Sequence, residues 1–87
     1  MGQRTPAKVA LGRVIRGLRD SRGVSQAELA ADSGITRKAL SDLEQGHTYP
    51  RLETLDRIAE ACDLPAPELL ARAKDLEARA QGRREPG

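Results

Sequence analysis

Tryptophan and phenylalanine are absent from this 87-residue sequence, and Tyr49 is its one aromatic residue. Any core must therefore be aliphatic. Val, Ile and Leu supply 17 residues, with Leu much the commonest, a bias that leans toward helices over sheets. No alternating β-branched run exists to suggest a strand. No uninterrupted apolar run exceeds three residues, which argues against a membrane-spanning helix or a secretory segment. The lone cysteine, Cys62, has no internal disulfide partner and fits a reducing cytoplasm. One histidine, His47, with one cysteine does not make a usual zinc site, and no cofactor is expected. No nucleophile–base pair, paired-carboxylate site or phosphate-binding loop can be assembled, so an enzyme is the weakest reading.

What is present is a polar, charge-rich chain sized for one domain, with 38% hydrophobic and 32% charged residues. Its net charge is only +2, but it is unevenly placed. Residues 1–24 carry Arg4, Lys8, Arg13, Arg16, Arg19 and Arg22 against Asp20 alone. Residues 25–62 are acidic on balance and residues 63–87 neutral. A basic N-terminal third suits a polyanion, although amphipathic helices also carry such faces for solubility.

Apolar periodicity predicts five short helices. The first covers about Lys8 to Ser21, with Leu11, Ile15 and Leu18 on one stripe and Gly23 as its stop. Gly12 and Gly17 each cost it roughly 1 kcal/mol of helix propensity, so packing must hold it. Ser25-Gln-Ala-Glu28 is a capping-box pattern opening the second helix, which buries Leu29 and Ala30 and ends at Gly34. Thr36 caps a third, Arg37 to Gln45, with Leu40 and Leu43 inward. Leu52 to Cys62 is a fourth, and Pro67 falls in the first turn of a fifth. The expected organisation is a flexible arm over 1–7, a domain over 8–71, a helical extension over 72–80 and a disordered tail over 81–87. The fold class is all-α.

The second and third helices are joined by only Gly34-Ile35-Thr36, as in a helix-turn-helix. Opposite Leu40 and Leu43, the third helix aligns Arg37, Lys38, Ser41, Asp42 and Gln45, all hydrogen-bonding groups. Such a face suits a DNA major groove roughly 12 Å wide, where Arg37 or Lys38 reaches guanine, Ser41 a base or phosphate, and Asp42 cytosine N4. A polar face also serves solubility alone, and Asp42 equally fits an i,i+4 pair that orients Lys38; spacing leaves both questions open.

Leu11–Arg19, Ser25-Gln-Ala-Glu-Leu-Ala30, Gly34-Ile-Thr36, Leu40-Ser-Asp-Leu-Glu-Gln-Gly46, Pro50 and Leu55–Ala59 together resemble the phage repressor/Cro (Xre-type) helix-turn-helix family. The likeness spans about residues 11–71. It implies a five-helix, lambda-repressor-like DNA-binding domain that reads a pseudo-palindromic operator as a homodimer. Carried over, it makes Arg37, Lys38, Ser41 and Asp42 the base readers. It makes Ser25, Gln26, Thr36, Gln45, His47 and Arg51 the phosphate contacts, Gln26 also bracing the reading helix. Arg19 and Glu44 match a structural ion pair.

The remaining residues have plainer readings. Cys62 belongs to the core rather than to redox chemistry. His47 is either a phosphate contact or an ordinary loop residue. Tyr49 either stacks on a DNA sugar or packs under the loop beside Pro50, and packing is the expectation. Leu69, Ala73, Leu76 and Ala80 form a stripe running beyond the core, with Leu64, Leu69, Leu70 and Leu76 the expected dimer interface. The reading that results is a transcriptional repressor or autoregulator, cytoplasmic, with no membrane partner. No room is left for a ligand or protease domain, so control would come from protein level or from a partner such as a toxin or RNA polymerase. Its rivals are an antitoxin or restriction–modification controller of the same fold, and a protein-interaction module.

Overall fold

The computed structural model describes residues 4–82, and these hold five helices and no strand. They are α1 (Pro6–Ser21), α2 (Gln26–Asp32), α3 (Arg37–Glu44), α4 (Leu52–Ala61) and α5 (Ala66–Gly82). The first three starts have a side-chain cap within three residues. The Thr5 hydroxyl accepts from the Lys8 N–H at 3.3 Å, and Pro6 stands at the first helical position, where its missing N–H costs nothing. Helix α1 thus begins two residues before the expected Lys8, and residues 6–7 are helical rather than part of a flexible arm. At α2, Glu28 N–H donates to Ser25 Oγ (3.1 Å) and Ser25 N–H donates to the Glu28 carboxylate (2.9 Å), completing the capping box. The backbone bond from Ser25 lowers the Glu28 pKa. A depressed carboxyl pKa gives stability that is present at neutral pH and is lost as pH falls through the lowered value.

Helix ends are equally local. At the close of α2, Gly34 takes φ 70°, its N–H donates to Ala31 O and that of Ile35 to Ala30 O, a Schellman cap that turns the chain into α3. Asp63 does the same for α4 with φ 60°, without glycine.

The core gathers one stripe from every helix: Leu11 and Ile15, Leu29 and Ala30, Leu40 and Leu43, Leu55, Ile58, Ala59 and Cys62, and Leu69 with Ala73. Cys62 is a buried thiol whose pKa is raised by burial, in keeping with its reading as a core residue. Helix α1 is the spine, packing on both α5 and α3, while α2 rests on α3 and α4.

Two expectations about the surface need correction. Leu69 is fully buried and Ala73 nearly so, in the part of α5 that packs within its own chain, whereas Leu76 is half-buried and Ala80 exposed. Leu69 is therefore not an interface residue. Leu64, Leu70 and Leu76 are half-buried, and Leu70 packs on the core of its own chain. Helix α5 continues through the 72–80 segment to Gly82, and its C-terminal turns lie beside the first turns of α1, where Leu76 and Ala80 line one side of a groove and Pro6, Val9 and Ala10 the other. Tyr49 does not pack beneath its loop: it is 45% exposed, and Leu52 beside it is 75% exposed. The remainder of the expected tail, residues 83–87, and residues 1–3 of the expected arm lie outside the described residues.

The two glycines of α1 are not equivalent. Gly17 is exposed, with nothing within 4 Å of a would-be Cβ. Gly17→Ala should therefore stabilise the protein by about 0.5–1 kcal/mol through helix propensity and unfolded-state entropy. Thermal or urea denaturation would show it as a higher midpoint, and an unchanged midpoint would mean α1 frays there.

Candidate nucleic-acid interface

Leu40 and Leu43 anchor α3 to the core, and that anchorage decides which flank faces out. Arg37 and Lys38 are exposed at its N-terminal end, Ser41 and Asp42 half-buried, and Gln45 exposed at its C-cap. The structure thus brings the expected base-reading residues onto one flank. Lys38 Nζ lies 3.3 Å from Asp42 Oδ2, so the i,i+4 pairing left open by the spacing is made. It leaves Arg37 as the cation of this flank with no ion-pair partner among the described residues.

Further along, Gln45 Nε2 donates to Ser41 Oγ at 2.8 Å, and Gln45 Oε1 lies 3.2 Å from His47 Nε2. These exposed polar groups form a chain from the helix into the following loop. Arg51 is exposed and stands at the N-cap position of α4 without a side-chain cap bond. Thr36 and Ser25 occupy cap positions: the Thr36 hydroxyl accepts from Ala39 N–H at 3.0 Å, and Ser25 serves Glu28 as described.

Behind this flank sits a charge cluster that locks three helices together. Arg19 donates from Nε to Glu44 Oε2 at 2.7 Å and from Nη2 to Oε1 at 3.1 Å, a two-pronged pair, while Nη1 reaches Val24 O at 3.0 Å. Gln26 Nε2 donates to Glu44 Oε1 at 2.9 Å. Glu44 is thus bound from α1 and from the start of α2 at once, and the first turn of α2 is set against the last turn of α3. The carboxylate is 3% exposed, so it needs all of these donors. The pair expected between Arg19 and Glu44 is formed, and Gln26 braces α3 through the same carboxylate.

Two short helices joined by a tight glycine turn, with the second offering a polar flank and the first pinned behind it, match a helix-turn-helix model over residues 15–69. The chain belongs to that helix-turn-helix family, in its phage repressor/Cro (Xre) branch. This helix-turn-helix protein is 37% identical over 59 residues to an uncharacterized HTH-type transcriptional regulator of Mycobacterium tuberculosis, covering 68% of this chain and 23% of the relative. It is 35% identical over 60 residues to the HTH-type transcriptional regulator SlrR of Bacillus subtilis, covering 68% of this chain and 40% of SlrR. The chain spans well under half the length of these relatives. Among solved structures, it superposes on the clp gene regulator ClgR of Corynebacterium glutamicum with a TM-score of 0.84 and 27% identity, covering 93% of this chain and 86% of ClgR. The restriction–modification controller protein C.AhdI of Aeromonas hydrophila follows with a TM-score of 0.68 and 34% identity, over 70% and 92% of the two chains. The fold is thus that of a DNA-binding helix-turn-helix domain as found in transcription regulators. Among the described residues, no helix is long and apolar enough to cross a membrane.

Proposed function

We propose that this chain regulates transcription by binding a double-stranded operator, with α3 in the major groove and two protomers on a pseudo-palindromic site. The observation that carries the reading is the unpaired, exposed Arg37 at the N-terminal end of a helix whose opposite face is locked in the core. A guanidinium there has the planar donor fork that fits guanine O6 and N7. Lys38 and Asp42 act as a pair, Asp42 orienting the ammonium, and Ser41 lies between them and Gln45. Gln26 on one side of the groove and Gln45, His47 and Arg51 on the other serve as phosphate contacts that set register, together with the cap residues Ser25 and Thr36. Occupancy of the site blocks or recruits RNA polymerase, work done in the cytoplasm.

A homodimer suits the geometry of the duplex: two reading helices one turn, about 34 Å, apart would read two half-sites. Of the residues expected at the interface, Leu64, Leu70 and Leu76 keep some exposed surface, and Leu76 with Ala80 borders an apolar groove of about 290 Å³ against Pro6 and Val9. The likeness to C.AhdI favours a restriction–modification controller as a second form of the same reading.

The test is selection of bound sites from random duplex DNA, with the stoichiometry of the complex. A two-fold motif bound by two protomers is expected. Arg37→Ala should cost about 1–3 kcal/mol and relax base preference at one position per half-site. Unchanged selectivity would remove Arg37 from the reading set.

A further inference from the structure

A second group of cations, from the basic N-terminal third, lies next to the α3 flank and takes no part in the contacts described above. Arg4, Arg13 and Arg16, with Val9, Glu44 and Gln45, line a cleft of about 260 Å³ between the outer face of α1 and the C-terminal end of α3. Arg4 and Arg13 are exposed and have no carboxylate at ion-pair distance among the described residues. Arg16 has only a long contact, 3.8 Å from Nε to Asp20 Oδ2, between side chains 67% and 61% exposed, which water largely screens. The one carboxylate in the wall, Glu44, is already held by Arg19 and Gln26 and does not neutralise the cleft. Gln45 forms part of the wall and is also hydrogen-bonded to Ser41, so the cleft opens beside the C-terminal end of the reading flank.

Resting on the groove-reading role of α3, we propose that this cleft binds phosphodiester groups of the same duplex, and that Arg13 and Arg16 extend the protein's grip along the strand beyond Gln45. A helix seated in the major groove has a phosphate ridge on each side, and the cleft opens where such a ridge would pass the C-terminal end of α3. Guanidinium forks match phosphate oxygens in pairs. The cleft also resolves a quantitative difficulty: a chain of net charge +2 gains its polyanion attraction from where its cations stand, because each neutralised phosphate releases counterions. A single strand is the poorer occupant, since such sites stack bases on aromatic side chains and none lines this cleft.

The experiment compares the wild-type chain with Arg13→Gln/Arg16→Gln on a duplex selected from random DNA, measuring affinity against salt. The slope of log K on log salt should become shallower by about 0.9 for each phosphate that is no longer neutralised, close to two such steps for the pair. The weakening should be the same for every base substitution in the site, and Arg13→Lys/Arg16→Lys should restore most of the slope. Circular dichroism checks that both variants keep their helices. Wild-type slope and affinity in the glutamine variant would overturn the cleft assignment and leave groove reading by α3 intact. A wild-type chain that holds no duplex even at low salt would overturn both.

Discussion

Arg19→Ala is expected to destabilise the fold by about 3–5 kcal/mol, a loss of the size found when one partner of a buried ion pair is removed. The substitution deletes two of the three donors on a Glu44 carboxylate that is 3% exposed, leaving only Gln26 Nε2. It also orphans Val24 O, which Arg19 Nη1 had satisfied at 3.0 Å. Urea denaturation measures the loss as a lower midpoint at unchanged slope. A loss under about 1 kcal/mol would mean water reaches the pair and screens it as at a surface. The charge itself is not what the fold needs. Arg19→Met with Glu44→Leu should recover most of the stability, since a well-packed apolar pair often equals a buried ionic one. It should still weaken DNA binding, because Gln26 loses the carboxylate that holds it in place. The hydrogen bond to Glu44 raises the Arg19 pKa. A raised folded-state pKa gives stability that is complete below the ordinary arginine range, so this contribution stays constant through neutral and mildly alkaline pH.

Gly12→Val is the second large effect, a destabilisation of about 3 kcal/mol, at the upper end of ordinary overpacking. Here α1 passes so close to the end of α3 that a Cβ on residue 12 would meet the Leu43 carbonyl oxygen and stand 2.6 Å from that of Glu44. Those atoms are backbone and cannot rotate aside, so the helices must separate. The helix-propensity gain from losing a glycine, about 1 kcal/mol or less, does not offset this. Separation would also lengthen the Arg19–Glu44 bonds, so duplex affinity should fall along with stability. Equal stability of Gly12→Val and wild type in urea would show that α1 and α3 are not held at this distance in solution. The contrast with Gly17→Ala, five residues along the same helix and opposite in sign, makes the pair informative.

Most helix ends were legible because their causes are local. Ser25 and Glu28 meet across three residues, Thr36 bonds Ala39 in the same way, and Gly34 supplies a positive φ where the chain must turn. The start of α1 is equally local, in Thr5-Pro6, but apolar periodicity does not register a cap made by a hydroxyl and a proline. The end of α4 carries no glycine to mark it: Asp63 takes the left-handed position, and its carboxylate meets Arg22 at 2.9 Å, 41 residues away in sequence. For the candidate interface, the flank of α3 followed from the spacing of Leu40 and Leu43. The role of Arg19 and Glu44 followed only from family likeness, because nothing in a pattern of hydrophobic residues joins two charges 25 positions apart.

The amino-acid sequence by itself determined five helices, the caps of α2 and α3, the side of α3 that turns inward and hence the residues left facing out. These depend on interactions within a few residues, or on a stripe whose period is that of the helix. Tertiary structure alone decided what covers each stripe. It buried Leu69 and Ala73 within their own chain rather than at a partner, left Tyr49 and Leu52 in solvent, made Gly12 a point of backbone contact, and set Arg13 and Arg16 beside Gln45. The physical reason is that periodicity reports that a face is apolar or charged, whereas the neighbour it meets depends on how separate helices pack.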